Sequence, residues 1–298
     1  MSGEVEFSGR YRIRHVTTYA YSDEVGGSYG RAYLTPRTLP RQRVLGHELR
    51  IDPQPSDRSV GPDVYGNTTA YFQVSAAHDQ LVVTGESLVE VAAPDPTVLE
   101  LAGQPWEQMR PTTNPLAVEF TLDLQPAEIT EEVTAYAAES FTPSRPLREA
   151  VAELFHRVHT DFGYRSGSTT VATKVADVFA ARTGVCQDFA RIGVACLRSH
   201  GLAARYVSGY LATDPPPGGR RVVGADATHA WSAVWIPSTE PGTGHWLDFD
   251  PTNNQFADTR YITLAWGRDY TDVPPLRGII YTDAAQSTIT VSVDVIPA

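Results

Sequence analysis

Cysteine is scarce in this sequence, with only Cys186 and Cys196 among 298 residues. Two cysteines cannot form the disulfide framework of a small secreted domain, and both fall on one predicted helix, out of bonding reach of each other. The sequence also lacks Cys-x-x-Cys pairs and His-x-x-x-His spacing, the usual signatures of zinc. We therefore expect no metal site and no other cofactor.

Long runs of one residue class are missing as well. No apolar stretch approaches the roughly 20 residues of a membrane span, and the N-terminus has no apolar signal core. The net charge is -11 without a long run of one sign, whereas phosphate binding needs clustered Lys and Arg. We expect a cytoplasmic protein with no membrane or nucleic-acid partner and an unknown oligomeric state.

Pattern and turn signals divide the chain into three parts. Alternating segments at 11–19, 69–74 and 81–91, separated by Pro, Gly and Asn turns, predict an N-terminal antiparallel β-sandwich domain over residues 1–93. Six prolines between 94 and 126 predict an ordered linker. Residues 127–298 then form the third part, the predicted catalytic domain.

Helical and strand patterns alternate in this third part. Val151, Leu154, Phe155 and Val158 mark one helix face, and a further helix is predicted from Cys186 to about residue 200. Strands are predicted at 204–212, 229–236 and 245–250, with a surface loop at 213–221 and a strand-like extension after residue 279. The predicted class is α+β, with the cysteine-bearing helix packed on an antiparallel sheet.

Cys186 stands at the start of its predicted helix. A helix N-terminus carries partial positive charge and unpaired N–H groups, and both favour the thiolate that a sulfur nucleophile needs. The first amide could also help to hold an oxyanion. Cys196 lacks this position and is interpreted as a buried apolar residue, which would also be the better interpretation of Cys186 taken alone.

His229 and Asp250 change that balance. His229 begins one predicted strand and Asp250 ends the next, so antiparallel pairing would place them side by side. A carboxylate there would fix the imidazole tautomer and stabilise its charged form. Asp248 shares the strand face and is the second choice, and each residue taken alone would more often have a structural role.

Three segments carry a family resemblance. The sequences TGVCQDFARIGVACLRSHGLAARYVSGY, THAWSAVWIP and HWLDFDPTNN resemble the core motifs of the transglutaminase-like superfamily of papain-like cysteine enzymes. This resemblance implies Cys186 as nucleophile, His229 as base and Asp250, in preference to Asp248, as the third member. The stretches RYRIRHVTTYAYSDEV, YLTPR and DVYGN resemble the N-terminal β-sheet domain of a bacterial subgroup, and DTRYITLAWGRDYTDVPPLRGIIY resembles its C-terminal extension.

The resemblance has two gaps. Animal transglutaminases complete the oxyanion hole with a Trp in a region that here holds Val151, so the second donor is unassigned, and their acidic calcium sites are not recognisable. Asp269 and Tyr270, in the C-terminal stretch, could also reach the active site. The candidates for oxyanion or substrate binding, each with a structural role as the alternative, are Tyr164, Gln187, Asp188, Tyr206, Ser208 and Trp231, with Tyr210 on the same strand face.

The predicted chemistry is acyl transfer from an amide through a thioester, with a peptide or protein as substrate. Hydrolysis is favoured, because an intracellular cross-linker without calcium control would be hazardous. Glutamine cross-linking or deamidation is the alternative within this chemistry. An inactive scaffold or binding module is the alternative of another class.

Overall fold

The computed structural model describes residues 6–111, 114–125, 127–213, 228–238, 240, 242–282 and 284–298. Most of the predicted surface loop at 213–221 lies outside these residues. The strands are β1 (Phe7–Ala32), β2 (Gln42–Asp52), β3 (Asp57–Pro62), β4 (Thr68–Val74), β5 (His78–Ala92), β6 (Gly163–Tyr164), β7 (Thr183–Gly184), β8 (Ala204–Leu211), β9 (Thr228–Pro237), β10 (Gly244–Asp250), β11 (Gln255–Phe256), β12 (Tyr261–Gly267), β13 (Leu276–Thr282) and β14 (Ser287–Pro297). The helices are α1 (Pro96–Leu101), α2 (Pro115–Val118), α3 (Glu131–Ala138), α4 (Leu147–Asp161), α5 (Val175–Ala181) and α6 (Cys186–Ser199), with 3₁₀ turns at Trp106–Met109, Glu119–Thr121 and Tyr270–Asp272.

The first strand organises the N-terminal sheet. β1 is 26 residues long and its buried and exposed residues alternate, as expected for a strand with one face on a core. Its first part pairs with β5 on one edge and β14 on the other, and its second part pairs with β4 and β13. The strands form one seven-stranded antiparallel sheet with the order β2-β5-β1-β4-β3, and β13 and β14 also pair with β1. The predicted C-terminal extension therefore completes the N-terminal sheet.

The second layer is helix α6 on a five-stranded sheet, which confirms the predicted α+β core. The strand order is β11-β10-β9-β8-β12. Gly193 allows the close approach of α6, because a Cβ there would lie 2.8 Å from Ser232 Oγ. The Ser232 hydroxyl in turn donates to the carbonyl oxygen of Ala190 at 2.8 Å. This contact fixes the helix on the sheet and, with it, the position of its N-terminal residue.

The two sheets share a buried apolar cluster. Ile13 and Val293 of the N-terminal sheet pack with Tyr206 and Ile262 of the other sheet. Gln42 adds polar contacts, since its side chain donates to the carbonyl of Thr263 and accepts from the Thr263 N–H, both at 2.8 Å. The N-terminal sheet is thereby held against the face that carries the candidate site.

The segment predicted as a linker contributes to the core. Trp106 and Met109 are buried in the same cluster as α4 and α6, and Trp106 Nε1 donates to the Thr142 carbonyl at 2.9 Å. The division of the chain at residues 93 and 126 stays a prediction. Within the described ranges, no helix is both long and apolar enough to cross a membrane.

Candidate active site

Cys186 is the first residue of α6, as predicted. The preceding Val185 is extended, and its N–H donates to Asp188 Oδ2 at 2.9 Å. The same oxygen accepts the Thr169 hydroxyl at 2.6 Å. Asp188 is buried and fixes the start of the helix, so it does not line the cleft, and the expectation that it binds substrate is not supported by its position.

His229 and Asp250 form the second part of the site. His229 Nε2 donates to Asp250 Oδ2 at 2.7 Å. The same oxygen accepts Tyr261 Oη and Asn253 Nδ2, each at 2.7 Å, and Oδ1 accepts the N–H groups of Thr252 and Asn253 at 2.8 and 3.2 Å. Asp250 is fully buried, which favours the neutral acid, but these donors outweigh the burial and lower its pKa. Asp250 is therefore held as a carboxylate.

The predicted pairing of His229 directly across from Asp250 was wrong in register. The β9–β10 ladder places Trp235 opposite Trp246 and ends at the pair Ser232–Phe249. His229 lies beyond that end, and Asp250 reaches it diagonally. Asp248, the second choice, accepts Trp231 Nε1 at 3.0 Å and is thus engaged elsewhere.

Cys186 lies beside His229 on the wall of one cleft, close enough for its sulfur to affect the pKa of the imidazole. Because Nε2 is bonded to Asp250, Nδ1 is the ring nitrogen left for the sulfur. Burial lowers the pKa of His229, but the hydrogen bond to Asp250 and the negative charge of Asp250 and Cys186 raise it to about 10. The imidazole is consequently charged at neutral pH. Cys196 is buried away from the cleft, and burial raises its pKa to about 12.

An open cleft of about 410 Å³ lies beside Cys186 and His229. Tyr164, Gln187, Tyr206 and Ser208 all line it together with Cys186 and His229, so four of the six accessory candidates stand at the cleft. Trp231 does not line it. The Trp231 ring is buried behind His229, with ring centroids 6.2 Å apart, and supports the imidazole from the rear.

Two family models match this chain. The transglutaminase-like superfamily model covers residues 134–251, which include Cys186, His229 and Asp250, and the bacterial transglutaminase-like N-terminal region covers residues 11–90. The chain belongs to the transglutaminase-like superfamily. An uncharacterized protein of Mycobacterium tuberculosis is 58% identical over 97% of this chain and 93% of its own length. A second one, from Mycobacterium leprae, is 34% identical over 96% of this chain and 98% of its own length.

A solved structure supports the fold over nearly the whole chain. It is that of a candidate cysteine protease from Cytophaga hutchinsonii, with a TM-score of 0.75. The match covers 97% of this chain and 90% of the other, at 19% sequence identity. The N-terminal sheet and the helix-plus-sheet core are thus features of a known transglutaminase-like fold, and family membership supports a cysteine-dependent enzyme.

One wall of the cleft in this transglutaminase-like protein was not predicted from the sequence. His15, Thr17 and Tyr19 of β1 line the cleft opposite the helix. His15 is buried, and burial lowers its pKa to about 4. Its Nδ1 lies 3.0 Å from Tyr210 Oη and its Nε2 lies 3.1 Å from Thr17 Oγ1. A neutral imidazole here orients the Thr17 hydroxyl at the edge of the cleft.

Asp269 and Tyr270 have separate roles. Asp269 does not line the cleft; its Oδ1 accepts Arg191 Nε at 2.8 Å, and Arg191 also pairs with Glu128 at 3.2 Å. All three charged groups are buried. Because Arg191 belongs to the helix of Cys186, this ion pair holds the following Tyr270 at the cleft, where its ring meets Tyr206 edge-on at 6.2 Å.

The described residues contain no group of three or more His, Cys, Asp or Glu side chains arranged to hold a metal ion. The start of α6 also offers backbone hydrogen-bond donors to the cleft. Cys186 and Gln187 begin α6, and the first amides of a helix have no carbonyl partner within it. These N–H groups can therefore stabilise an oxyanion next to the sulfur.

Proposed function

We propose that this protein hydrolyses an amide bond of a peptide or protein through a thioester, with Cys186 as nucleophile, His229 as acid and base, and Asp250 as the residue that orients the imidazole. The observation that carries the proposal is that Cys186 and His229 line one open cleft, while the His229 ring is hydrogen-bonded to the buried Asp250. A buried carboxylate, a charged imidazole and a partly exposed sulfur are the elements that nucleophilic acyl transfer needs.

Acylation begins with attack of the Cys186 thiolate on the amide carbonyl. The new C–S bond converts the carbonyl oxygen into an oxyanion, which the first amides of α6 stabilise. As the oxyanion collapses, the C–N bond breaks and the imidazolium of His229 gives its proton to the departing amine. Asp250 remains ionised throughout and keeps the ring in position.

Deacylation uses water as the second nucleophile. Neutral His229 removes a proton from the water as its oxygen attacks the thioester, and the C–S bond then breaks to release a carboxylic acid and the thiolate. Tyr164 at the cleft is 58% exposed, so solvent has access to this region. This access favours hydrolysis over transfer to a lysine amine, which requires water to be kept from the thioester.

A direct test compares hydrolysis with amine transfer. Peptides that contain glutamine are incubated with the protein and a labelled amine, and the products are separated by mass spectrometry. We expect chain cleavage or deamidation to exceed amine incorporation, and Cys186→Ala to abolish all products. Cys196→Ala is the matched control because that residue is buried away from the cleft. Amine incorporation that exceeds hydrolysis would assign cross-linking instead.

The scaffold alternative is tested by thiol chemistry without a substrate. Iodoacetamide should alkylate Cys186 much faster than Cys196 in the native protein, because only the former is accessible and paired with an imidazolium. Equal, slow labelling of both cysteines would favour an inactive binding module. A cytoplasmic location and the lack of membrane or nucleic-acid partners remain predictions.

A further inference from the structure

A second cavity, of about 480 Å³, adjoins the catalytic cleft. Four residues line both spaces, namely Tyr19, Tyr270, Leu276 and Ile289. The second cavity lies within the range of about 300–1,000 Å³ that small ligands occupy. Because the two spaces share a wall, one elongated molecule can occupy both of them at once.

The walls of this second cavity are largely aromatic and aliphatic. Its further lining residues include Tyr21, Tyr29, Phe72, Leu81 and Ile280. Among the lining residues that the structure describes, Arg277 carries the only formal charge, and it donates to the Thr271 carbonyl at 3.2 Å. Such a surface gains free energy from an apolar group and offers little to a charged one.

The floor of the second cavity depends on a glycine. A Cβ at Gly30 would overlap the ring of Phe72 from the neighbouring strand β4. Since Gly30 has no side chain, the ring lies over the strand and covers its backbone with an aromatic surface. The mouth is apolar too, because Ile289 and Val171 are 62% and 60% exposed there. These side chains lack cover in the isolated chain.

The strands beside the mouth favour an extended peptide over a compact ligand. In the described part of the chain, β13 pairs with β1 along one edge and with no strand along the other. A free strand edge offers backbone N–H and C=O groups that an extended peptide can bind, while its alternate side chains enter pockets. The active-site chemistry also requires an amide-containing ligand in the adjoining space.

We propose that this second cavity is a subsite for a bulky apolar residue, aromatic or aliphatic, of the peptide substrate. The N-terminal sheet thus selects the substrate, while the helix-and-sheet core carries out the reaction. This inference rests on the proposed function, because the peptide must also present an amide to Cys186. The apolar residue lies a short distance along the chain from the reacting bond.

The test uses reactive peptides and does not require turnover. Two sets of serine-rich peptides carry either an N-terminal chloroacetyl group or a C-terminal chloromethyl ketone, with one Phe placed at each successive position. The measured quantity is the rate of Cys186 alkylation, followed by mass spectrometry. We expect Phe at one position to accelerate alkylation by about 10- to 100-fold over Ser, the factor that burial of one large apolar side chain supplies.

Two substitutions on β13 form a matched pair. Ile280 lines the second cavity, whereas its neighbour Ile279 is 67% exposed and does not. Ile280→Trp should fill the cavity and reduce the Phe-to-Ser rate ratio to near one. Ile279→Trp adds the same side chain outside it and should leave the ratio unchanged. Thermal unfolding of both variants checks that each is folded.

Each outcome has a distinct meaning. If iodoacetamide alkylates Cys186 no faster than Cys196, the proposed function fails. If Cys186 is reactive but no peptide with Phe alkylates it faster than the matching peptide with Ser, only the subsite is refuted. Equal effects of Ile279→Trp and Ile280→Trp on the ratio also refute it. If the wild-type chain is a dimer that Ile280→Trp dissociates, the cavity is an interface between copies and the subsite is likewise refuted.

Discussion

Replacing Asp250 by asparagine removes the charge beside His229 while keeping the shape of the side chain. Both carboxylate oxygens act only as hydrogen-bond acceptors. Four of their donors are N–H groups, one from His229, one from Thr252 and two from Asn253. An asparagine must point its NH₂ group at donors in either orientation. If it faces the ring, His229 can accept from it only by moving its proton to Nδ1, the nitrogen that should serve the sulfur. The variant therefore loses both the charge and the correct tautomer.

The magnitude follows from the proton affinity of the ring. The pKa of His229 rises from 6.5 to about 10, which at 1.36 kcal/mol for each tenfold change is about 5 kcal/mol in favour of the imidazolium. Asp250 and Cys186 share this stabilisation, against the opposing effect of burial. Without the carboxylate, we expect the pKa of His229 to fall, since Cys186 alone then opposes the effect of burial. Amide hydrolysis should fall by about 10³- to 10⁴-fold, as expected for a wrong tautomer in a triad.

Histidine NMR and alkylation kinetics measure these effects. The ring signal of His229, identified by its loss in His229→Gln, is titrated in the wild type and in Asp250→Asn. Cys186 alkylation by iodoacetamide is followed at neutral pH in the same proteins. Asp248→Asn is the matched control, because that residue bonds Trp231 on the same strand face. An unchanged titration and an unchanged alkylation rate in folded Asp250→Asn would refute the assigned role of this carboxylate.

Three further predictions concern stability and the cleft. The destabilisation caused by Asp250→Asn should be largest between about pH 4 and 6.5 and should shrink as the pH rises toward 10. The reason is that the raised pKa of His229 stabilises the folded state fully below the pKa of the unfolded state, and this stabilisation is lost as the pH rises through the pKa of the folded state. Thermal unfolding measured across this pH range checks the prediction. Tyr164→Phe should lower kcat by about 10- to 100-fold with little change in KM if its hydroxyl is the second oxyanion donor, and steady-state kinetics would instead show an unchanged kcat if it is not. Arg191→Met should lower the free energy of unfolding, measured in urea, by about 3–5 kcal/mol, because it leaves buried carboxylates unpaired. It should also release Tyr270 from the cleft, which a higher KM would show.

The central residues of the site could be predicted because their positions depend on local signals. A glycine-containing turn before Cys186 and the His200-Gly201 stop define one helix, and Gly201 adopts a φ of 73° where that helix ends. Strand patterns placed His229 and Asp250 at the ends of neighbouring strands. The role of Asp188 was also accessible, because an acidic residue at the third helical position commonly bonds the N-cap amide.

The register and the outer wall of the site could not be predicted. Register depends on which side chains pack across the pair, here Trp235 with Trp246, and a strand pattern alone does not specify it. Tyr261 reaches Asp250 from a strand at the other edge of the five-stranded sheet. In the sequence, most strands of the N-terminal sheet lie between His15 and Cys186. These contacts are set by tertiary packing, which leaves no periodic trace in the sequence.

The pairing of the last strand with the first has a consequence for biosynthesis. Tyr11 pairs with Pro297 and Tyr21 pairs with Ser287, so β1 lacks one neighbour until the final strand has been translated. Ile289 and Val291, which line the cleft, arrive with that strand. A nascent chain can thus contain Cys186, His229 and Asp250 while one wall of the cleft is still absent. The chain can therefore bind a peptide in the complete cleft only after β14 has been translated and has paired with β1.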